Sequence, residues 1–235
     1  MTVRAIIPAR SGSIRIPGKN LQKIAGVSLV RQSLIVANKT PLIDVTYLDT
    51  DSEEICNECK DLDVHILGLR PPHLSSSSTT TFDSLFHFLT KALKGLDESD
   101  TLVLLQPTCP FRTTTEITQA IELFEKNKKC YPVICVSEPF LSPKDFISLS
   151  YEGFISEFNL RGMDLKNKKI FYDTGSIYVT TLGLLRQHKG FVKSGKTLAI
   201  ETNQINGFDI DTPLQLNIAR LLVANGDAEL QKFPK

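Results

Sequence analysis

The sequence predicts an α/β fold: a three-layer, mostly parallel sheet with helices on both faces. Three observations predict it. Short β-rich apolar runs alternate with segments of helical periodicity from the N-terminus to Ser137. Two of those runs, "TLVLLQ" at 101–106 and "PVICVS" at 132–137, are apolar on both sides, as the buried strands of a parallel sheet are. The loops of unusual composition, at 8–20, 49–52, 68–81 and 106–112, each follow a strand. In such sheets ligands bind at the carboxyl ends of the strands, so these loops read as one site assembled from several segments.

Val3–Ile7 is the first strand. "SLVRQSLIVAN" at 28–38 places Leu29, Val30, Leu34 and Ala37 at helical spacing. "IDVTYLDTD" at 43–51 is a strand ending in acids, and Asp51 with Glu54 has the spacing of a capping box for a helix beginning there. "VHIL" at 64–67 reads as a short strand, "LRPPHLSSSSTTT" as a loop, and "FDSLFHFLTKAL" as the next helix, capped by Thr80 or Thr81. "TTEITQAIELFEKN" is an amphipathic helix between the two buried strands. After Glu138 the alternation breaks. Residues 138–171 read as a protruding subunit-contact segment within a single domain spanning 1–235. "GSIYVTT" at 175–181 and "TLAIE" at 197–201 resume as strands, and Thr212 caps a final helix with Pro213 in its first turn.

The net charge of +1, with no basic stripe, argues against a nucleic-acid partner. No apolar run approaches the ~20 residues of a membrane span, and no signal peptide is visible, so the expected location is the cytoplasm. Five cysteines without a secretion signal do not suggest a disulfide framework. "CNEC" at 56–59 lies within a predicted helix and lacks further close ligands, so its thiols read as packing groups. His65, His73, His87 and His188 show no metal spacing.

"IIPARSGSIRIPGKN" at 6–20 concentrates Arg10, Arg15 and Lys19 with Ser11, Gly12, Ser13 and Gly18 in one strand-to-helix connection. Small residues let backbone N–H groups approach a phosphate chain, hydroxyls add donors, and the cations add charge. The spacing matches neither a Walker loop nor a dinucleotide fingerprint.

This loop resembles the signature of the cytidylyltransferases that activate nonulosonic acids: the CMP-sialate (acylneuraminate) synthetases and their legionaminate and pseudaminate relatives. The resemblance continues through "DTDSEEI" at 49–55, "LRPPHL" at 69–74, "LLQPTCPFR" at 104–112, "TGSIYV" at 174–179 and "FDIDTPLQL" at 208–216. It covers nearly the whole chain in order. It implies a Rossmann-like nucleotidyltransferase fold, and transfer of CMP from CTP to the anomeric hydroxyl of a nonulosonic acid with release of pyrophosphate. It also implies Mg²⁺ as cofactor and a homodimer formed through 138–171. Two departures stand out. Ile14 occupies the place of the family's usual Lys, although "SIRIPGK" fits the pattern of the related CMP-Kdo synthetases. Thr174 replaces a frequent Asn near the sugar. The alternatives are a CMP-Kdo synthetase and a non-catalytic nucleotide-binding relative.

On this resemblance Arg10, Lys19 and Asp211 are the catalytic candidates. Arg10, Ser11, Gly12, Ser13, Arg15, Lys19 and Asn20 form the nucleotide loop, where Asn20 either contacts the nucleotide or orders the loop. Arg70 and Thr81 read cytosine or ribose, with Arg70 equally readable as a pin for the "RPP" turn. Gln106, Thr174, Tyr178 and Phe191 are the acceptor residues, with core packing the competing account of Tyr178 and Phe191. Arg161 or Lys168 is the candidate for the acceptor's carboxylate. Asp209 and Asp211 are the metal candidates. Alternate residues of an extended segment share a face, and the competing account makes Asp211 a helix cap. Asp49 and Asp51 are weaker metal candidates.

Overall fold

The computed structural model describes residues 2–75, 79–92, 95–142, 146–157 and 169–231. Its elements run β1 (Val3–Ala9), β2 (Lys23–Ile24), β3 (Val27–Ser28), α1 (Leu29–Lys39), β4 (Val45–Thr50), α2 (Glu53–Glu58), α3 (Thr81–His87), β5 (Thr101–Leu104), α4 (Thr114–Lys126), β6 (Val133–Ser137), β7 (Ile147–Leu149), β8 (Ile155–Glu157), β9 (Tyr172–Thr180), α5 (Leu182–His188), β10 (Leu198–Thr202) and α6 (Pro213–Asn225).

The main sheet has the order β10-β6-β9-β5-β1-β4. β1 runs parallel to β4 and β5, and β10 runs parallel to β6, while β9 is antiparallel to both of its neighbours. Parallel neighbours need a crossover, usually a helix. α4 supplies one between β5 and β6, and β9 then inserts between them from the opposite direction.

The two faces of the sheet are covered by different helices. Along β1, Ala5, Ile7 and Ala9 pack with residues of α1, α2 and α4, including Leu34, Ile55 and Phe124. Ile6 points the other way and packs with Leu85 of α3, Phe88, Leu89 and Leu185 of α5. This period-2 alternation makes the three layers. A third cluster joins Ile16 of the opening loop to Ile210, Leu216 and Ala219, and so seats that loop against α6 and the segment before it.

The caps explain where several helices start. Thr113 and Glu116 form a reciprocal capping box on α4, and Thr212 and Gln215 form another on α6, with Pro213 at its first turn. α2 differs from expectation. Ser52, not Asp51, is its cap, its side chain accepting from Ile55 N–H. "VHIL" yields a single bridge between His65 and Tyr47 rather than a strand. The third helix keeps α geometry only to His87 and then widens to a π-helical turn over Phe88–Ala92. β7 and β8 form a separate antiparallel pair inside 138–171, and α5 is a helix that the sequence pattern did not suggest. Cys56 lies within α2 and Cys59 caps its end. Burial pushes the Cys59 thiol up to about 12, which suits an inert packing group. No helix among the described residues is long and apolar enough to cross a membrane.

Candidate active site

A cleft of about 480 Å³ opens at the carboxyl ends of β1 and β5. It is lined from the opening loop by Arg10, Gly12, Ser13, Ile14, Arg15, Lys19 and Asn20. Arg70, Thr79, Thr80 and Ser84 line it from the third helical region, Gln106 and Thr108 from the loop after β5, and Asp209 and Asp211 from the segment before α6. Loops remote in sequence meet here because parallel strands end on one edge of the sheet.

The opening loop is held from within and from both sides. Gly18 adopts φ 58°, a left-handed conformation that suits glycine, and starts the short turn that carries Lys19. Asn20 is buried, and its side-chain N–H donates to the Arg10 carbonyl at 2.8 Å. It therefore orders the loop, one of its two expected roles. Ser11 lies outside the cleft lining. Its N–H and hydroxyl both donate to the Asp51 carboxylate, at 2.7 and 3.1 Å. Asp51 thus anchors the loop to the end of β4, and neither caps α2 nor stands among the cleft carboxylates.

Across the cleft, Thr212 performs the capping of α6, and the Asp211 side chain turns to the loop. Lys19 donates to the Ile210 carbonyl at 2.8 Å and to Asp211 at 3.0 Å, and Arg15 reaches the other Asp211 oxygen at 3.1 Å. Burial alone would raise the Asp211 carboxyl, but the two cations bring it below the ordinary carboxylate value. Asp209 shows the reverse. Burial raises it, and the Asp211 charge adds to that, against hydrogen bonding from Thr108. The neighbouring Cys109 thiol is completely buried and donates to the Thr174 carbonyl at 3.2 Å.

Arg70 is pinned. Its guanidinium forks onto Asp49 at 3.1 and 2.6 Å and also donates to the Asp49 carbonyl at 3.0 Å. Ser84 donates to the same carboxylate at 3.3 Å. Arg70 therefore fixes its turn while still lining the cleft, and Asp49 is its counter-ion. Thr80 caps α3 by accepting from Asp83 N–H at 3.0 Å, and Thr81 is the first residue of that helix.

The acceptor candidates divide. Gln106 lines the cleft. Thr174 does not. It is 1% exposed, its hydroxyl donates to the Cys135 carbonyl at 2.9 Å and meets Ser176 Oγ at 2.8 Å. It lies buried where β9 shifts register against β6 beside Gly175 at φ 72°, outside the cleft lining. Tyr178 and Phe191 pack on each other with ring centroids 4.6 Å apart, within the apolar layer beside α3 and α5. The Tyr178 hydroxyl still finds a polar partner, donating to Asp173 at 3.0 Å. Neither ring belongs to the cleft lining. Arg161 and Lys168 lie outside the described residues.

Arg112 is the structural residue that composition and spacing did not single out. It is 2% exposed, and its guanidinium donates to the carbonyls of Cys109 (3.0 Å), Ser176 (2.6 Å) and Gln106, and to Ser33 Oγ (3.1 Å). Burial pulls its pKa down to about 10. It ties the loop after β5 to β9 and to α1, and so sets the backbone from which Gln106 enters the cleft. The signal that could have found it is a lone Arg at the end of "PTCPFR", beside an apolar strand.

A mostly parallel sheet whose strand ends present a cationic loop opposite two carboxylates has the architecture of a nucleotidyltransferase. A CMP:2-keto-3-deoxy-manno-octonic acid synthetase, solved in complex with CTP, superposes with a TM-score of 0.71 over 96% of this chain and 100% of that one, at 16% identity. The family model for cytidylyltransferases matches residues 4–150, and the chain belongs to that family. Its sequence is 29% identical over 228 residues to the CMP-N,N'-diacetyllegionaminic acid synthase of Legionella pneumophila, covering 95% of this chain and 97% of that protein. It is 28% identical over 214 residues to the N-acylneuraminate cytidylyltransferase of Streptococcus agalactiae, covering 88% of this chain and 50% of that protein.

Proposed function

We propose that the protein transfers CMP from CTP to the anomeric hydroxyl of a nonulosonic acid, working as a Mg²⁺-dependent homodimer. The observation that carries this reading is the opposition, across one cleft, of Arg10, Arg15 and Lys19 to Asp209 and Asp211. The family membership and the names of the relatives support the choice of nucleotide and acceptor class.

The acceptor hydroxyl oxygen bonds to the α-phosphorus of CTP. The bond from that phosphorus to the bridging oxygen breaks, and pyrophosphate leaves with the electron pair. The protein's part is positioning and charge neutralisation. Gly12 and Ser13 line the cleft, where their backbone N–H groups would receive the phosphates, and Arg10 and Arg15 would offer guanidinium forks. Lys19, anchored on the Ile210 carbonyl, keeps its ammonium at a defined place.

The donor set fits magnesium. Asp209 and Asp211 offer hard carboxylate oxygens in the cleft lining, and Mg²⁺ commonly takes one or two carboxylates and completes its shell with waters and phosphates. Among the described residues no third His, Cys, Asp or Glu joins them as a metal-binding group. Asp209 and Asp211 would hold the ion, which when bound neutralises phosphate charge. For the dimer, Phe140, Leu141, Phe146, Tyr151 and Phe154 are all exposed along 138–171, Tyr151 and Phe154 in the turn between β7 and β8. Exposed apolar side chains along one segment suit a subunit contact.

The test is pyrophosphate release from CTP and Mg²⁺ with N-acetylneuraminic, legionaminic and pseudaminic acids and the eight-carbon ketodeoxyoctonic acid. Release with a nine-carbon acid is expected. Release with the eight-carbon acid alone would overturn the acceptor class. No release with any acid, together with measurable CTP binding, would favour a non-catalytic relative.

A further inference from the structure

Thr174 is buried, and the polar side chain that this end of β9 presents outward is its neighbour Asp173, which is exposed. The Asp173 carboxylate is held on both oxygens. Gly175 N–H donates to one at 3.0 Å, and the Tyr178 hydroxyl donates to the other at 3.0 Å. Both donors are neutral, and together they set the direction of the carboxylate. A carboxylate has about four lone-pair sites, and among the described residues these two donors take two of them.

Asp173 does not itself line the cleft, but Gly175 sets it beside a residue that does. Gly175 has φ +72°, and a Cβ there would stand 3.5 Å from Gln106 Nε2 and 3.9 Å from the Tyr178 hydroxyl. The missing side chain keeps a gap open between the Gln106 carboxamide, which lines the cleft, and the Tyr178–Asp173 pair. Phe191 backs the Tyr178 ring, and Arg112 holds the backbone on both sides of the gap through the Gln106 and Ser176 carbonyls.

We infer that Asp173 is a specificity-determining residue, reading a neutral N–H or O–H substituent of the acceptor sugar and turning the sugar's own carboxylate away from β9. This rests on the proposed function. A carboxylate fixed in this way accepts a hydrogen bond from an amide or hydroxyl. It repels an anionic substituent at the same place. A site built to receive a donor discriminates strongly against an analogue that lacks it, because its own polar group is then left unpaired. The acceptor class therefore carries neutral acylamido or hydroxyl groups on the side facing Asp173.

The experiment compares two nine-carbon acceptors that differ only in the ring acylamido group, N-acetyl (neutral) and N-succinyl (anionic). The protein is wild type, Asp173→Asn or Asp173→Ala, and pyrophosphate release is followed. Wild type should favour the neutral acceptor by about a hundredfold in kcat/KM. Both variants should narrow that ratio at least about tenfold and raise the KM of the neutral acceptor, with the CTP KM held within about twofold. A merely structural role would slow both acceptors equally, and an unchanged ratio in both variants overturns the inference. Wild-type turnover with an unchanged ratio removes Asp173 alone. Absence of turnover with every nonulosonic acid removes the proposed function and this inference with it.

Discussion

Replacing Asp49 by Ala should destabilise the protein more than any surface change. The Asp49 and Arg70 side chains are 4% and 5% exposed, and the guanidinium makes both of its carboxylate contacts, at 3.1 and 2.6 Å, out of water. In the variant the Arg70 charge keeps only the backbone carbonyl of residue 49. Breaking a buried pair from one side costs about 3–5 kcal/mol, because the remaining charge is uncompensated. At about 2–4 °C per kcal/mol for a chain of this size, Tm should fall by roughly 6–20 °C. Removing the second charge as well, in Asp49→Ala with Arg70→Met, should recover much of the loss, since a hydrophobic replacement of both partners is often near neutral. Thermal unfolding followed by circular dichroism, with urea titration beside it, measures both variants. A loss below about 1 kcal/mol, or a double variant no more stable than the single one, would refute the assignment of Arg70 and Asp49 as a desolvated pair.

Ile14 is 83% exposed on the cleft wall beside Arg15. Adding a charge there in Ile14→Lys should lower the CTP KM about fivefold, a water-screened contribution of about 1 kcal/mol, and a change under about twofold would show that Arg15 and Lys19 already suffice. Gly207→Ala should cost about 1–3 kcal/mol by overpacking, because its Cβ would lie 2.7 Å from Thr174 Cγ2, 3.1 Å from Thr202 Cγ2 and 3.2 Å from Ser137 Cβ. An unchanged Tm would contradict that contact. Asp100 is buried, which by itself raises its carboxyl. Donation from Thr2 N–H at 2.9 Å, Arg4 at 2.8 Å and Asp97 N–H brings it below 3.8 overall. A lowered carboxyl contributes stability that is complete above its unfolded value and is lost as pH falls through the folded one. Unfolding free energies of wild type and Asp100→Asn should therefore differ by a constant amount from about pH 5 to 8 and converge below about pH 4. A gap that widens on acidification would reverse the sign and the reasoning.

Much of this molecule was legible in order along the chain. The buried strands at 101–106 and 132–137 announced a sheet covered on both faces, and the odd loops after β1, β4 and β5 pointed to one edge, whereas the expected strand before the loop at 68–81 is a single bridge. The cationic loop at 10–20, the pair Asp209 and Asp211, and the Thr212 cap are local patterns, so they needed no neighbours to be seen. Other features depend on partners far away in sequence. Nothing near Ser11 indicates that Asp51 will hold it, and nothing near Arg70 indicates Asp49. The direction of β9 follows from which strands it enters between, not from its own residues. Thr174 and Asp173 illustrate the same limit. Their order in "YDTG" is plain, but which of the two faces outward depends on the shifted register in which β9 pairs with β6.

The order of residues supplies the available chemistry: three cations, two hydroxyls and small residues in one loop, two alternate carboxylates before the last helix, and strands too apolar to face water. How these groups pair follows from the packing of distant segments. That packing set Lys19 and Arg15 against Asp211, held Asn20 on the loop's own backbone, and buried Arg112 among carbonyls beneath Gln106. Composition and periodicity are carried by neighbouring residues, whereas desolvation, ion pairing and the facing of a strand are decided by what the rest of the chain packs against them.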